Sequence, residues 1–389
     1  MPSAYNVEKI LFVTNDFPPQ SGGIQTFIEG LIYQLPPESV VVHTSSQSSE
    51  GEQTRYDQEI FHQLGAIVVR DRQRILLPTP GLRARVAGTI HAHSIKTVVF
   101  GASVPLGLLA PSLRRLGVTR MVALTHGHEV WWSKVPLFSH LLRRVARSVD
   151  VLTYLGSFTK SAISAALDAR DLPKLMALPP GVDIENFHPG DKSEELLKRY
   201  GLSGKLIILC VGRLVQRKGQ DVLIKALSKV RGQFPNAQLV IAGSGNYEER
   251  LRALAKQEGV AQSVSFLGRV PFEDLPALFR SADIFASPTR ERFAGLEVEG
   301  LGIVYLEASA SGVPVIAGDS GGSPDAVQQD VTGKVVAGSD IDGLANALTE
   351  LLADAQLRAR MGSAGRLWME SQWSWQVIGA RFRDLLQVD

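Results

Sequence analysis

The chain reads as α/β, with two Rossmann-like, doubly wound domains facing a cleft. Three observations predict this. The length, 389 residues, exceeds what one ordinary hydrophobic core organises and divides naturally in two. Short apolar runs alternate with helical stretches twice along the chain, as in a parallel sheet covered on both faces. Between the two series lies a segment dense in helix and strand breakers, Leu178-Pro-Pro-Gly-Val-Asp-Ile-Glu-Asn-Phe-His-Pro189, which marks a boundary.

Composition narrows the class. Hydrophobic residues at 44% and charged residues at 21% fit a globular protein and exclude a disordered one. The one cysteine, Cys210, sits inside the apolar run Leu206 to Val211, so an intrachain disulfide and a cysteine metal site are excluded and a reducing compartment is expected. Met1 to Glu8 has no basic start followed by an apolar stretch, so no signal peptide is expected. Thr97 to Leu113 is uncharged over 17 residues, but Pro105 and Pro111 interrupt it; it reads as strand, loop and helix rather than a membrane span.

The formal charge of +2 hides an uneven distribution. Met1 to Gly65 holds two basic and eight acidic residues, Ala66 to Asp150 thirteen basic and three acidic. The arginines fall in two groups, Arg70, Arg72, Arg74, Arg83 and Arg85, then Arg114, Arg115, Arg120, Arg143, Arg144 and Arg147. A block of one sign points to an anionic partner, against the alternative of a solvated face. No helix-turn-helix, zinc or aromatic RNA-binding signature accompanies it, so nucleic acid is not expected.

In the first series, Lys9 to Thr14 is a buried parallel strand, and Gly22 and Gly23 lead into the amphipathic Ile24 to Leu35. Glycines there let a ligand reach the backbone at a helix start, although a Gly-Gly turn is also an ordinary structural device. Val40 to Thr44, Ala66 to Val69, Thr97 to Phe100, Arg120 to Thr125 and Asp150 to Leu155 continue the sheet. His126-Gly-His128-Glu129 follows a strand end, where open α/β sheets place ligands, and Trp131-Trp132 comes next. The His-x-His spacing also allows a metal pair, though no cysteine supports it. Leu141, Leu142, Val145, Ala146 and Val149 share a helical face, with Arg143, Arg144 and Arg147 off it. With Trp131 and Trp132 just upstream and Arg114 and Arg115 nearby in the block, contact with a headgroup layer is expected here.

In the second series, Leu206 to Val211 precedes Gly212-Arg213-Leu-Val-Gln-Arg217-Lys218-Gly219 and the helix Gln220 to Val230. Cations on a glycine-flanked loop suit a diphosphate; Arg217 is expected in solvent. Gln238 to Ala242, Val264 to Leu267, Ile284 to Ser287 and Val313 to Ala317 are further strands. Gly243-Ser-Gly245 is followed by Glu248 at the sixth position of a dinucleotide fingerprint, which disfavours a nicotinamide cofactor. Asp340-Ile-Asp342 is read as an N-capping acid rather than a metal site.

The second series is organised around Phe293 to Gly312, where Glu297, Glu299 and Glu307 stand among glycines and apolar residues. Ile303 to Ser311 reads as a short helix closed by Gly312, its start at Gly300 and Gly302. A helix start among glycines suits an anion. The two carboxylates Glu299 and Glu307 are too far apart to grip one small atom and suit the two ends of an elongated ligand, such as the sugar and ribose hydroxyls of a nucleotide-sugar, with its diphosphate between.

Glu299 and Glu307 reproduce an E-x7-E motif, and Gly-Leu-Glu-Val-Glu-Gly-Leu-Gly-Ile-Val-Tyr-Leu-Glu-Ala resembles retaining GT4 glycosyltransferases of GT-B fold, most of all the actinobacterial phosphatidylinositol mannosyltransferases of the second step. The resemblance covers nearly the whole chain. It implies an acceptor domain over residues 1–186, a donor domain over 187–371 and a terminal helix over 372–389 crossing back to the first. It implies Arg213 and Lys218 on the donor diphosphate, with Gly22, Gly23 and the helix start at Gly302, Ile303 and Val304. Glu299 is implied on the sugar, Glu307 on the ribose, Arg269 and Val270 at the base, and His126 beside the transferred sugar, with His128 the weaker candidate.

The implied reaction moves mannose from GDP-mannose to a phosphatidylinositol mannoside, without a metal or other cofactor. The resemblance implies a cytoplasmic setting, peripheral to the inner face of the cell membrane. Thr289 to Ala294 is bulkier and more charged than the matching loop of those enzymes, which leaves acceptor shape open. The alternatives are a GT4 transferase using another nucleotide-sugar and acceptor, an epimerase on the same fold, and a non-catalytic nucleotide-sugar sensor, against which the complete residue set argues.

Overall fold

A computed structural model of the protein describes residues 8–20, 22–127, 129–293, 295 and 297–388. The chain forms two compact units, one up to Gly181 and again from Trp375, the other Val182–Ser374.

The first unit is built on seven parallel strands: β1 Ile10–Thr14, β2 Val40–Thr44, β3 Ile67–Arg70, β4 Thr97–Phe100, β5 Arg120–Ala123, β6 Val151–Tyr154 and β7 Leu175–Ala177. Their order is β3-β2-β1-β4-β5-β6-β7. The inner strands carry apolar residues at successive positions because helices cover both faces; all five residues of β1 are buried. Phe12 and Phe100 are fully buried, and each such side chain stabilises the fold by about 1.5–3 kcal/mol. The terminal helix Trp375–Leu386 packs on this unit. Phe382 meets Phe12, Arg120 reaches the Leu385 carbonyl and Arg383 that of Gln34.

The second unit holds six parallel strands: β8 Leu206–Val211, β9 Ala237–Ala242, β10 Val264–Gly268, β11 Ile284–Ser287, β12 Val315–Gly318 and β13 Gly333–Val336. Their order is β10-β9-β8-β11-β12-β13. In each sheet the order reverses once, between β1 and β4 and between β8 and β11. Such a switch point opens a crevice at the carboxyl ends of the strands, where ligands bind.

Thr97 to Leu113 resolves as β4, a 3-10 turn and a short helix. No helix among the described residues is long and apolar enough to cross a membrane. Asp340 caps the helix Ile341–Ala353 by accepting from the Gly343 amide at 2.9 Å, and Asp342 pairs with Lys229. Among the described residues no three His, Cys, Asp or Glu side chains come together as a metal site. His128 lies outside the described residues, as do Ala294 and Leu296 of the organising stretch.

Candidate functional site

In the second unit, the segments after β8 and β11 border the switch point. The first turns sharply at Gly219, where φ is 73° and a Cβ atom would stand 2.0 Å from the Pro288 carbonyl oxygen. Only glycine fits there, and the close approach brings the two segments together. The Arg290 amide donates to the Arg217 carbonyl at 2.9 Å.

Lys218, just before that glycine, is buried, and its Nζ lies 2.8 Å from Glu299 Oε2. Arg217 donates from Nη1 to the same oxygen. Its Nε is 3.7 Å from Glu297 Oε1, and Glu297 is bridged in turn by Arg292 at 2.9 Å. The backbone of Glu299 is held on both sides: its amide donates to Ser320 Oγ at 3.2 Å, and its carbonyl accepts from the Gly322 amide at 2.9 Å. Burial raises the pKa of Glu299, but the charges of Lys218 and Arg217 outweigh it and hold the carboxyl below its ordinary range. Arg217, expected in solvent, is therefore a correction: its side chain is only 13% exposed because it neutralises a buried acid.

The helix Ile303–Ala310 begins at Gly302, whose φ of 92° and lack of a Cβ admit the Tyr305 ring beneath it. Tyr305 is buried and donates to the Ser287 carbonyl at 2.7 Å, fixing the helix to the end of β11. The first-turn amides of any helix have no partner within it, so those at Ile303 and Val304 are not used by the helix itself. Glu307 lies farther along the same helix, half-buried. Its side chain makes no hydrogen bond or ion pair among the described residues, and burial pushes its carboxyl up to about 7. Arg213 is exposed and likewise without an ion pair among the described residues. Arg269 is exposed and Val270 buried after β10, and the neighbouring Gly268 carbonyl accepts from the Gly243 amide at 2.7 Å. The second unit thus gathers Arg213, Lys218, Glu299, Gly302, Ile303, Val304, Glu307, Arg269 and Val270 on segments at the carboxyl edge of one sheet.

In the first unit, Gly22 precedes the helix Gly23–Ile32 after β1, and both glycines are exposed. His126 follows β5 at the same edge. Its Nε2 bonds the Gly101 carbonyl, which requires a proton on that nitrogen. Its amide donates to Glu129 Oε2 at 2.9 Å, and Glu129 Oε1 accepts from Ser103 at 3.1 Å. Glu129 is completely buried; sequence reasoning noted it beside the histidines but gave it no role. The signal was there, an acid three residues past His126 at the first turn of the helix Glu129–Lys134.

The arginines expected on an anionic surface divide differently. Arg114 makes a two-pronged pair with Asp150 at 2.8 Å, Arg147 pairs with Asp168 at 2.7 Å, and Arg143 donates to the Ala166 carbonyl at 2.7 Å. Arg114 and Arg143, half-buried, tie secondary-structure elements together, whereas Arg147 stays at the surface with its side chain 46% exposed. Arg115 and Arg144 remain exposed. Trp131 and Trp132 are half-buried in a cluster with Phe138, with ring centroids 4.5–5.4 Å apart. Arg72, Arg74 and Arg83 are exposed without ion pairs among the described residues, and Ile75 and Leu77 between them are 63% and 51% exposed. The run after β3 that carries all but Arg83 lies at the edge that bears His126, whereas Arg114 and Arg115 lie just before β5, at the opposite edge.

Residues 192–368 match the family of glycosyl transferases group 1. Over 378 residues, 97% of this chain and 98% of the other, the sequence is 45% identical to a GDP-mannose-dependent alpha-(1-6)-phosphatidylinositol monomannoside mannosyltransferase of Mycolicibacterium smegmatis. It is 46% identical over 384 residues, 98% of each chain, to a GDP-mannose-dependent mannosyltransferase of Corynebacterium glutamicum acting on the monoacylated form of that lipid. The fold is that of Anabaena HepE, solved with UDP, at a TM-score of 0.78 and 20% identity over 97% of this chain and 99% of that one. It is also that of a sucrose-phosphate synthase from Thermosynechococcus elongatus, at 0.78 and 19% over 98% of both.

Proposed function

Because the chain belongs to the glycosyl transferases of group 1, a family of GT-B fold, we propose that it moves mannose from GDP-mannose to a phosphatidylinositol mannoside, with retention at the anomeric carbon. The observation that carries this is the pair Glu299 and Glu307 on either side of a helix start, with Lys218 against the first of them. The full-length relatives supply donor and acceptor: both act from GDP-mannose on a phosphatidylinositol monomannoside.

Lys218, Arg213 and the amides at Ile303 and Val304 receive the diphosphate, and their charge stabilises the leaving group as its bond to the sugar breaks. Because these groups already meet that charge, transfer proceeds without a metal. Glu299 accepts from sugar hydroxyls, Glu307 from ribose hydroxyls, and the backbone at Arg269 and Val270 meets the base. Gly22 and Gly23 let the substrates approach the backbone, and His126 orients the sugar or the incoming hydroxyl. On a front-face path, the bond from the anomeric carbon to phosphate oxygen breaks, the acceptor oxygen bonds the same face, and the acceptor proton passes to the departing phosphate.

A lipid acceptor brings the first unit to the inner face of a membrane as a peripheral protein. The contact is the run after β3 with Arg72, Arg74, Ile75 and Leu77, supported by Arg83, because it combines free charge and exposed apolar side chains at the edge that holds His126. Arg115, Arg144 and the tryptophans play a lesser part.

A product screen tests the reading. GDP-mannose, UDP-glucose and UDP-galactose are each supplied with phosphatidylinositol monomannoside and with no acceptor, and lipids are read by mass spectrometry. A hexose adduct from GDP-mannose alone is expected; an adduct only from a UDP-sugar, or release of free sugar with no acceptor dependence, would refute it.

A further inference from the structure

The terminal helix brings one residue into the neighbourhood of His126. Trp375 is where the chain rejoins the first unit, and its indole lies directly over two glycines. A Cβ atom on Gly30 would fall 2.1 Å from Trp375 ring atoms, and one on Gly181 2.5 Å from them. Those glycines are the recess in which the indole sits. Gly30 belongs to the helix Gly23–Ile32, which also carries Phe27. Phe27 is 2% exposed and stacks on Trp375 with an interplanar angle of 26° and centroids 6.4 Å apart. Its other ring contact among the described residues is with the imidazole of His126, edge to face at 85° and 5.6 Å. The ring of His126 is therefore fixed on one side by Phe27 and at Nε2 by the Gly101 carbonyl.

We propose that Trp375 is a positioning residue for the transfer reaction, acting through Phe27 to hold the His126 imidazole in the orientation that faces the sugar. The proposal rests on the role given to His126 above. The recess at Gly30 and Gly181 admits the indole, and a leucine there would fill apolar space without a flat face for Phe27. Aromatic pairs in such geometry add directional stiffness beyond buried area. A ring displaced by a fraction of an ångström from its productive place has a large effect on turnover and a small one on substrate binding.

The test uses the full chain with GDP-mannose and phosphatidylinositol monomannoside. Trp375→Leu is expected to lower kcat about tenfold, with KM for GDP-mannose changed by less than about twofold. Trp375→Phe should restore most of the loss, and Phe27→Leu should reproduce it. In histidine-labelled protein, the imidazole resonances of His126, assigned by their disappearance in His126→Ala, should move in Trp375→Leu and return in Trp375→Phe. In a His126→Ala background, Trp375→Leu should cost little more, since both act through one ring.

Unmoved imidazole resonances overturn the proposal, as do fully additive losses in the double variant. If Trp375→Leu does not fold, the same readings are taken on Phe27→Leu and Trp375→Phe. If His126→Ala itself retains full kcat, the role of His126 fails, and the resonance measurement still decides whether Trp375 orients the ring.

Discussion

Lys218 Nζ and Glu299 Oε2 stand 2.8 Å apart, so the cation proposed for a diphosphate and the acid proposed for a sugar are partners in this structure. Arg217 shares the same oxygen. On the proposed mechanism, a diphosphate that draws Lys218 would leave Arg217 to hold Glu299 ionised and in place.

Replacing Lys218 or Arg213 with alanine should weaken GDP-mannose binding by about 1.5–3 kcal/mol each, the scale of a charge-assisted contact. Calorimetric titration of the folded variants decides it. Wild-type affinity in both would remove the diphosphate from this loop.

Arg217→Ala leaves the buried Glu299 with a single cation, and loss of one member of a buried pair destabilises by about 3 kcal/mol. Urea unfolding should show a drop of that size, and Arg217→Lys a smaller one. No change in midpoint would mean that water replaces the guanidinium, as expected of a solvated arginine.

Glu299→Gln should chiefly reduce transfer, and Glu307→Gln chiefly nucleotide affinity. Titration with GDP separates them: a greater affinity loss for the Glu299 change than for the Glu307 change would mean the two ends of the donor are assigned the wrong way round.

Glu307, raised to about 7 by burial, is neutral at mildly acid pH. Its raised value contributes stability that is fully present below its ordinary pKa of 4.5 and lost as pH rises through about 7. Glu307→Gln should therefore raise the melting temperature at pH 8 and leave it unchanged at pH 4. If the ionised form accepts from ribose, GDP-mannose affinity should fall about tenfold from pH 8 to pH 6, and the glutamine variant should be flat. A pH-independent wild type would detach Glu307 from the nucleotide.

For the membrane face, Arg72, Arg74 and Arg83 changed together to glutamine should abolish binding to anionic vesicles, each basic residue near the surface being worth about 1 kcal/mol. Arg114 and Arg143 changed together should instead lower thermal stability, since each holds a partner on another element. The reverse pattern would restore the opposite edge of the sheet as the lipid surface.

Most of the sheet was legible because inner strands of a doubly covered parallel sheet are continuous apolar runs, as in Ile10–Thr14 and Leu206–Val211. The edge strands β7 and β13 were not. Leu175-Met-Ala and Gly-Lys-Val-Val are short and partly exposed, so neither makes a continuous apolar run, although each pairs with the strand just before it. Glu299, Glu307 and Lys218 stand out in the sequence as candidates by type and spacing around glycines. Arg217 was not, because nothing local distinguishes an arginine that meets water from one that meets a glutamate 82 positions on. The same limit applied to Arg114 and Arg147, whose partners Asp150 and Asp168 lie 36 and 21 positions on. The stack of Trp375 on Phe27 is a long-range contact of the same kind.

The most direct measurement is the product formed from GDP-mannose and phosphatidylinositol monomannoside in anionic vesicles after exhaustive chelation, with its anomeric configuration read by NMR. The account predicts an α-linked dimannoside at the same rate with and without chelator, and loss of product in Glu299→Gln. A β-linked product, a rate restored only by added divalent ion, or undiminished transfer by Glu299→Gln would contradict it.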